Sequence, residues 1–168
     1  LTYPAGYDGK GNIPVMIMVS GSGQQNRDEE LFGHKPFLII ADHMARNGIA
    51  TLRYDDRGTG KSTGDIANAT TADAMEDAAA GIDFLRASGK FGKTGVLGHS
   101  EGGTVAFMLA ARGKADFIVS MAGCAVRGDS LLLEQTKAIS GIHTLTLEQI
   151  RNMAKAQNNA WTNHFIDF

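Results

Sequence analysis

Gly98-His99-Ser100-Glu101-Gly102 decides the fold of this chain. The five residues read G-x-S-x-G. They lie between a short apolar run, Thr94 to Leu97, and a helix-like stretch, Gly103 to Arg112. That order predicts a strand, a turn of minimal length and a helix, with the Ser100 hydroxyl exposed at the bend. Side chains at the two glycines would collide with neighbouring backbone in so sharp a turn, and glycine tolerates unusual backbone angles. With 21 glycines in 168 residues the pentapeptide alone carries little weight. The flanking elements carry the reading.

Working towards the N-terminus, Ile13 to Val19 is apolar at nearly every position, as expected of a strand covered on both faces. Ser20-Gly21-Ser22-Gly23 follows as a turn, and Gln24 to Glu30 as a polar loop. Pro36 suits the first turn of a helix reaching Asn47, with Gly48 as its stop. Ile49 to Tyr54 reads as the second strand, and Asp55 to Gly64 as a glycine-rich loop. Thr70 and Asp73 form a capping-box start for a helix with apolar Met75, Ala78, Ala79, Ile82 and Leu85. Beyond the pentapeptide, Phe117 to Met121 is a fourth strand. Strand and helix alternate four times, which predicts an α/β fold with a mainly parallel sheet and helices on both faces.

After Gly123 the pattern changes. Leu131 to Ile139 and Thr146 to Phe165 read as two amphipathic helices with no strand between them. The expected division is a sheet-bearing core over residues 1–123 and a helical cap segment over 124–168.

Composition narrows the function. A net charge of -2 and a pI near 6.2 argue against nucleic-acid and anionic-membrane partners. No apolar run approaches the roughly 18 residues of a membrane span. Cys124 is the single cysteine, so no disulfide framework or thiol-rich metal site is expected. No His-x-x-x-His or Cys-x-x-Cys spacing points to a metal, and no cofactor is expected. The first residue is Leu1, so a native start or a cleaved signal peptide could lie upstream, and the compartment is not readable.

Ser100 is the candidate nucleophile, and it needs a histidine base oriented by a carboxylate. The N–H of Glu101, at the start of the following helix, points where an oxyanion would develop. A second donor is expected from the loop after the first strand, with the Ser22 N–H favoured there. Gly60-Lys61-Ser62 invites a nucleotide reading, but a phosphate loop needs glycine where Asp55 stands. Asp56 or Arg57 holding loops together is the better account, with Arg27, Asp28 and Glu29 as candidate partners. Among the histidines, His99 lies inside the turn with its side chain expected to point away from Ser100. His34 and His43 precede the nucleophile, and His143 and His164 lie in or beside the terminal helices.

Four segments taken together resemble the α/β-hydrolase superfamily: Ser20 to Glu30, Gly33 to Pro36, Arg53 to Ser62, and Gly98 to Gly103. Within it they are similar to bacterial serine hydrolases related to dienelactone hydrolases and serine aminopeptidases. The resemblance implies that Ser100 is the nucleophile and that the Glu101 N–H and the loop after the first strand supply the oxyanion donors. Many relatives carry His-Gly in that loop, where this chain has Ser20-Gly21. The resemblance also implies an acid and a histidine on loops after later strands. None follows here, and His164 with Asp167 comes in the right order but in a helical setting. The chain therefore reads as an N-terminal part of a longer hydrolase, with the triad acid and base expected downstream.

The expected chemistry is cleavage of a small carboxylic ester through an acyl-enzyme on Ser100. A serine peptidase on short peptides, or a non-catalytic binding module using the same fold, are the alternatives. Without a neighbour, Phe117 to Met121 would leave a sheet edge open to self-association.

Overall fold

A computed structural model describes residues 1–167. Its sheet has four strands, β1 (Val15–Val19), β2 (Ala50–Arg53), β3 (Thr94–His99) and β4 (Phe117–Met121), all parallel in the order β2-β1-β3-β4. Between them run α1 (Pro36–Arg46), α2 (Thr71–Ala87) and α3 (Glu101–Ala111), followed by α4 (Gly128–Ser140), α5 (Leu147–Ala156) and α6 (Ala160–Phe165). No helix among the described residues is long and apolar enough to cross a membrane.

The unbroken apolar run of β1 is explained by its central place in the sheet. Val15, Ile17 and Val19 point to one face, where Met75, Ala78 and Ile82 of α2 and Val105 and Leu109 of α3 cover them. Met16 and Met18 point to the other face and meet Phe37 and Ala41 of α1. Alternation of period two therefore feeds two cores at once. Gly81 lets α2 approach the sheet, since a Cβ there would lie 2.3 Å from the Ile17 side chain.

The two sheet edges differ. Along β2, Thr2 and Thr51 exchange backbone hydrogen bonds of 2.8 and 3.0 Å, so that edge is covered at Thr51. Among the described residues β4 pairs only with β3, and Val119 and Ser120 are exposed.

One expected element is corrected. Thr146 to Phe165 is not one helix but two, broken at Gln157–Asn159. Asn158 takes a positive φ of 49°, and the Asn159 side chain accepts the Thr162 N–H at 2.7 Å, capping α6 afresh. A local asparagine cap outcompetes continuation of the previous helix. The capping boxes at Thr70 and Thr146 are both present.

Ion pairs fasten the terminal helices to one another. Buried Asp129 at the start of α4 accepts from Arg127 at 2.6 Å and from Arg151 of α5 at 2.5 Å. Arg151 also reaches Asp167 just beyond α6.

Candidate active site

Between the last residue of β3 and the first of α3 stands Ser100 alone. Its backbone has φ 52° and ψ −115°, a strained region that costs a non-glycine residue about 1–3 kcal/mol. Its N–H donates to the Met121 carbonyl at 2.9 Å, tying the bend to the end of β4. The glycines around it are required for space rather than for backbone angles, because the positive φ falls on Ser100 itself. A Cβ on Gly98 would lie 1.9 Å from the Gly102 carbonyl oxygen, and one on Gly102 would lie 2.1 Å from that of Val19. Gly103 packs as closely on Gly123, with 2.5 Å from a Cβ to its Cα.

The loop after β1 lies against this bend. A Cβ on Gly21 would approach Ser100 Cβ to 3.3 Å. The Gly21 N–H is already taken, donating to Glu29 Oε1 at 2.7 Å, and the same oxygen lies 2.8 Å from His99 Nδ1. His99 thus turns to Glu29. Ser22 lines both clefts that meet at the bend. Glu101 is the first residue of α3, where an N–H has no intrahelical acceptor. Its side chain accepts from Thr71 Oγ1 at 2.6 Å and from Trp161 Nε1 at 2.7 Å, joining α2 and α6 to the bend.

Ser100 opens into a cleft of about 380 Å³ whose walls include Cys124, Leu131 and Phe165. Beside it lies a larger cleft of about 490 Å³, walled by apolar Val19, Ile66, Ala74 and Val105 and by Tyr54. Ser22, Glu101 and Trp161 border both. His99 Nδ1 is engaged by Glu29, and Asp167 by Arg151.

The charged residues after β2 do hold loops together, but with different partners from those expected. Arg27 pairs with Asp55 rather than Asp56, through a contact of 2.7 Å and a second of 3.0 Å. Asp28 pairs with Arg53, and Arg57 with Asp77 at 2.8 Å and Asp73 at 3.3 Å on α2. Hydrogen bonds from the Arg27 side chain hold the Asp55 carboxyl well below the usual carboxylate range. The Gly60-Lys61-Ser62 loop wraps the same residue: Lys61 N–H donates to Asp55 Oδ2 at 3.3 Å and Ser62 Oγ to its carbonyl at 2.6 Å. Those donors are spent internally.

Among the described residues Asp56 has no cationic partner. Ser20 Oγ donates to its Oδ1 at 2.7 Å and the Gln25 N–H to its Oδ2 at 3.0 Å. Burial pushes its pKa up to about 6, against those two hydrogen bonds and with help from the nearby Glu29 and Glu101 charges. Burial also raises the Tyr54 phenol, which lines the same cleft. No group of three His, Cys, Asp or Glu side chains among the described residues could hold a metal ion.

The structure therefore brings Ser100, the start of Glu101 and the Ser22 loop together. Sequence reasoning missed Thr71 and Trp161, which meet Glu101 from 30 and 60 residues away, and named Glu29 without its partners Gly21 and His99. The Arg27-Asp28-Glu29 run was a signal of buried charge, but nothing local assigns its partners.

Comparison with known proteins gives the family and the fold. A family model described as serine aminopeptidase, S33, matches residues 36–162. Esterase EstD of Thermotoga maritima is 29% identical over 134 residues, which are 80% of this chain and 32% of EstD. In fold the chain is similar to an esterase of Pyrococcus furiosus (TM-score 0.66, 19% identity, 93% of this chain and 54% of that one). It is also similar to Est1E of Butyrivibrio proteoclasticus, solved with ferulic acid bound (TM-score 0.60, 23% identity, 81% and 50%). The chain thus spans about a third of the length of EstD and about half that of the two solved structures. The fold is that of the α/β-hydrolase superfamily.

Proposed function

This chain belongs to the serine aminopeptidase, S33, family, and from that premise we propose that it carries the nucleophile and oxyanion donors of a carboxylic ester hydrolase. Ser100 Oγ attacks the ester carbonyl carbon and gives up its proton to a histidine base, which the described residues do not place. The N–H groups of Glu101 and Ser22 receive the negative charge on the carbonyl oxygen, where such donors are worth about 10²–10³ in rate. Collapse breaks the bond to the alkoxy oxygen, which leaves as the alcohol after taking a proton. Water then attacks the acyl-enzyme, releasing the acid and restoring the serine hydroxyl.

One observation carries this reading: Ser100 sits in a strained bend between strand and helix, and three glycines clear the space around it. Gly21 spends its N–H on Glu29, which supports Ser22 as the second donor. The apolar walls of the larger cleft favour an uncharged, apolar substituent on the ester. Similarity to EstD supports an ester over a peptide, whereas the family description keeps short peptides as the second reading.

The test is covalent labelling of the full-length protein with a small fluorophosphonate, located by peptide mass spectrometry. Label is expected on Ser100 and absent from Ser100→Ala. Equal labelling of the alanine variant would sink the assignment, and no labelling of either would favour a binding module.

A further inference from the structure

The loop from Ser20 to Gln25 would carry the second oxyanion donor, yet it is short, polar and has two glycines, Gly21 and Gly23. Within it, the Gln25 side chain makes only a long bond of 3.4 Å to the Ser22 carbonyl. Its two ends converge on one residue that follows β2. Ser20 Oγ donates to Asp56 Oδ1 at 2.7 Å, and the Gln25 N–H donates to Asp56 Oδ2 at 3.0 Å. The Asp56 N–H returns a bond of 3.0 Å to the Gln25 carbonyl. We infer that Asp56 is a positioning residue, whose carboxylate clamps both ends of this loop and so holds the Ser22 N–H in place beside Ser100. The inference rests on the hydrolase reading given above.

Charge makes the clamp work. A carboxylate accepts on both oxygens with charge-assisted bonds, roughly twice as strong as neutral ones. A neutral acid keeps both contacts in weakened form, because the Ser20 hydroxyl can rotate to accept while Oδ2 still takes the Gln25 N–H. The groups facing Asp56 are Glu29 after the loop, Glu101 at the head of α3, the Tyr54 phenol, and Arg57 with Asp77 at α2. Arg57 is occupied by its two aspartates, and the charges acting on Asp56 are those of the acidic neighbours Glu29 and Glu101. With burial, this places the change of state near pH 6.

The sign for stability is opposite to that for function. The folded chain holds the Asp56 proton more tightly than the unfolded chain, so stability is lost as pH rises from the ordinary carboxylate range through about 6. Ionised Asp56 thus opposes folding while tightening the loop. A purely structural residue would not show that opposition.

Asp56→Asn copies the neutral clamp and separates these effects. At pH 7.5 its Ser100 is expected to react with a fluorophosphonate about tenfold more slowly than wild type, well short of the loss on removing a donor outright. Its melting temperature should be no lower. The ratio of the two rates should fall towards one below pH 6, which cancels any titration of a base common to both. Equal rates at pH 7.5, a ratio independent of pH, or a rate loss matched by a lower melting temperature would each overturn the proposal. Amide NMR supplies a readout without chemistry: the Gln25 N–H should shift with a midpoint near pH 6 in wild type and stay flat in Asp56→Asn. A full-length wild-type protein that never labels at Ser100 overturns the hydrolase reading. A Gln25 amide with no step near pH 6 overturns the clamp.

Discussion

Trp161 Nε1 lies 2.7 Å from Glu101 Oε1, so the last helix is fastened to the residue directly after the candidate nucleophile. The same carboxylate oxygen accepts the Thr71 hydroxyl at 2.6 Å from the first turn of α2. Three elements that are remote in sequence meet on one acidic side chain at a helix N-terminus, where the helix dipole favours negative charge. Trp161 also stacks on Phe165, with ring centroids 4.9 Å apart, and borders both clefts. The bend and the helix that overhangs it are mechanically one unit.

Trp161→Phe tests that connection. The ring and its stacking are kept, while a hydrogen bond to a charged acceptor is lost, at a cost of about 1.5–3 kcal/mol. Hydrogen exchange over α6 should quicken, and limited proteolysis at Gln157–Asn159 should follow, with β1 and β3 unchanged. Unaltered protection of α6 would show that packing alone holds it.

Close approach at the bend is tested by a pair of glycines. Gly102→Ala places a Cβ 2.1 Å from the Val19 carbonyl oxygen and 2.6 Å from that of Ser20, both backbone atoms of the loop region it would have to displace. It should lose more than about 3 kcal/mol or fail to fold, in the class of severe backbone and overpacking effects. Gly113→Ala meets open space but a φ of +66°, and should lose only about 1 kcal/mol. Denaturant unfolding of both variants decides it. Similar losses would remove steric clearance as the reason for Gly102.

A pH series tests the Arg27–Asp55 pair. The Asp55 carboxyl is held below its unfolded pKa, so its contribution is present above the ordinary carboxylate range and is lost as pH falls through and below it. Asp55→Asn should therefore lower the melting temperature at pH 7, and the gap to wild type should close as pH drops below about 4. A gap that stays constant with pH would mean the effect is packing, not charge.

The sheet edges predict association. Thr2 covers β2 at Thr51, but among the described residues β4 has no second neighbour, with Val119 exposed beside it. An open edge is a template for another strand. Light scattering of the 168-residue chain should show a mass rising with concentration, and Val119→Lys should suppress it through charge at the edge. A wild-type chain that remains monomeric at high concentration would mean that the edge is covered.

What the sequence determined by itself was local or periodic. Apolar runs, capping boxes and the glycines flanking Ser100 gave the strand and helix order, because each of these signals acts within a few residues. The same local physics located Ser100 and the head of α3. Only the tertiary structure decided the partners. Arg27 bonds to Asp55 rather than its neighbour Asp56, Asp28 to Arg53, and Glu29 to Gly21 and His99. Adjacent acidic residues in one loop are chemically alike, so a sequence cannot rank their partners. The ranking comes from which side chain the parallel sheet turns towards the neighbouring loop. The break before α6 failed for the opposite reason: helical spacing runs on through Gln157–Asn159, and the cap that Asn159 makes to Thr162 shows only in the folded backbone. Trp161 falls within the stretch Thr146 to Phe165 that reads as one amphipathic helix. Its role at Glu101 exists only because the fold brings two residues 60 apart into contact, and no local pattern encodes that distance.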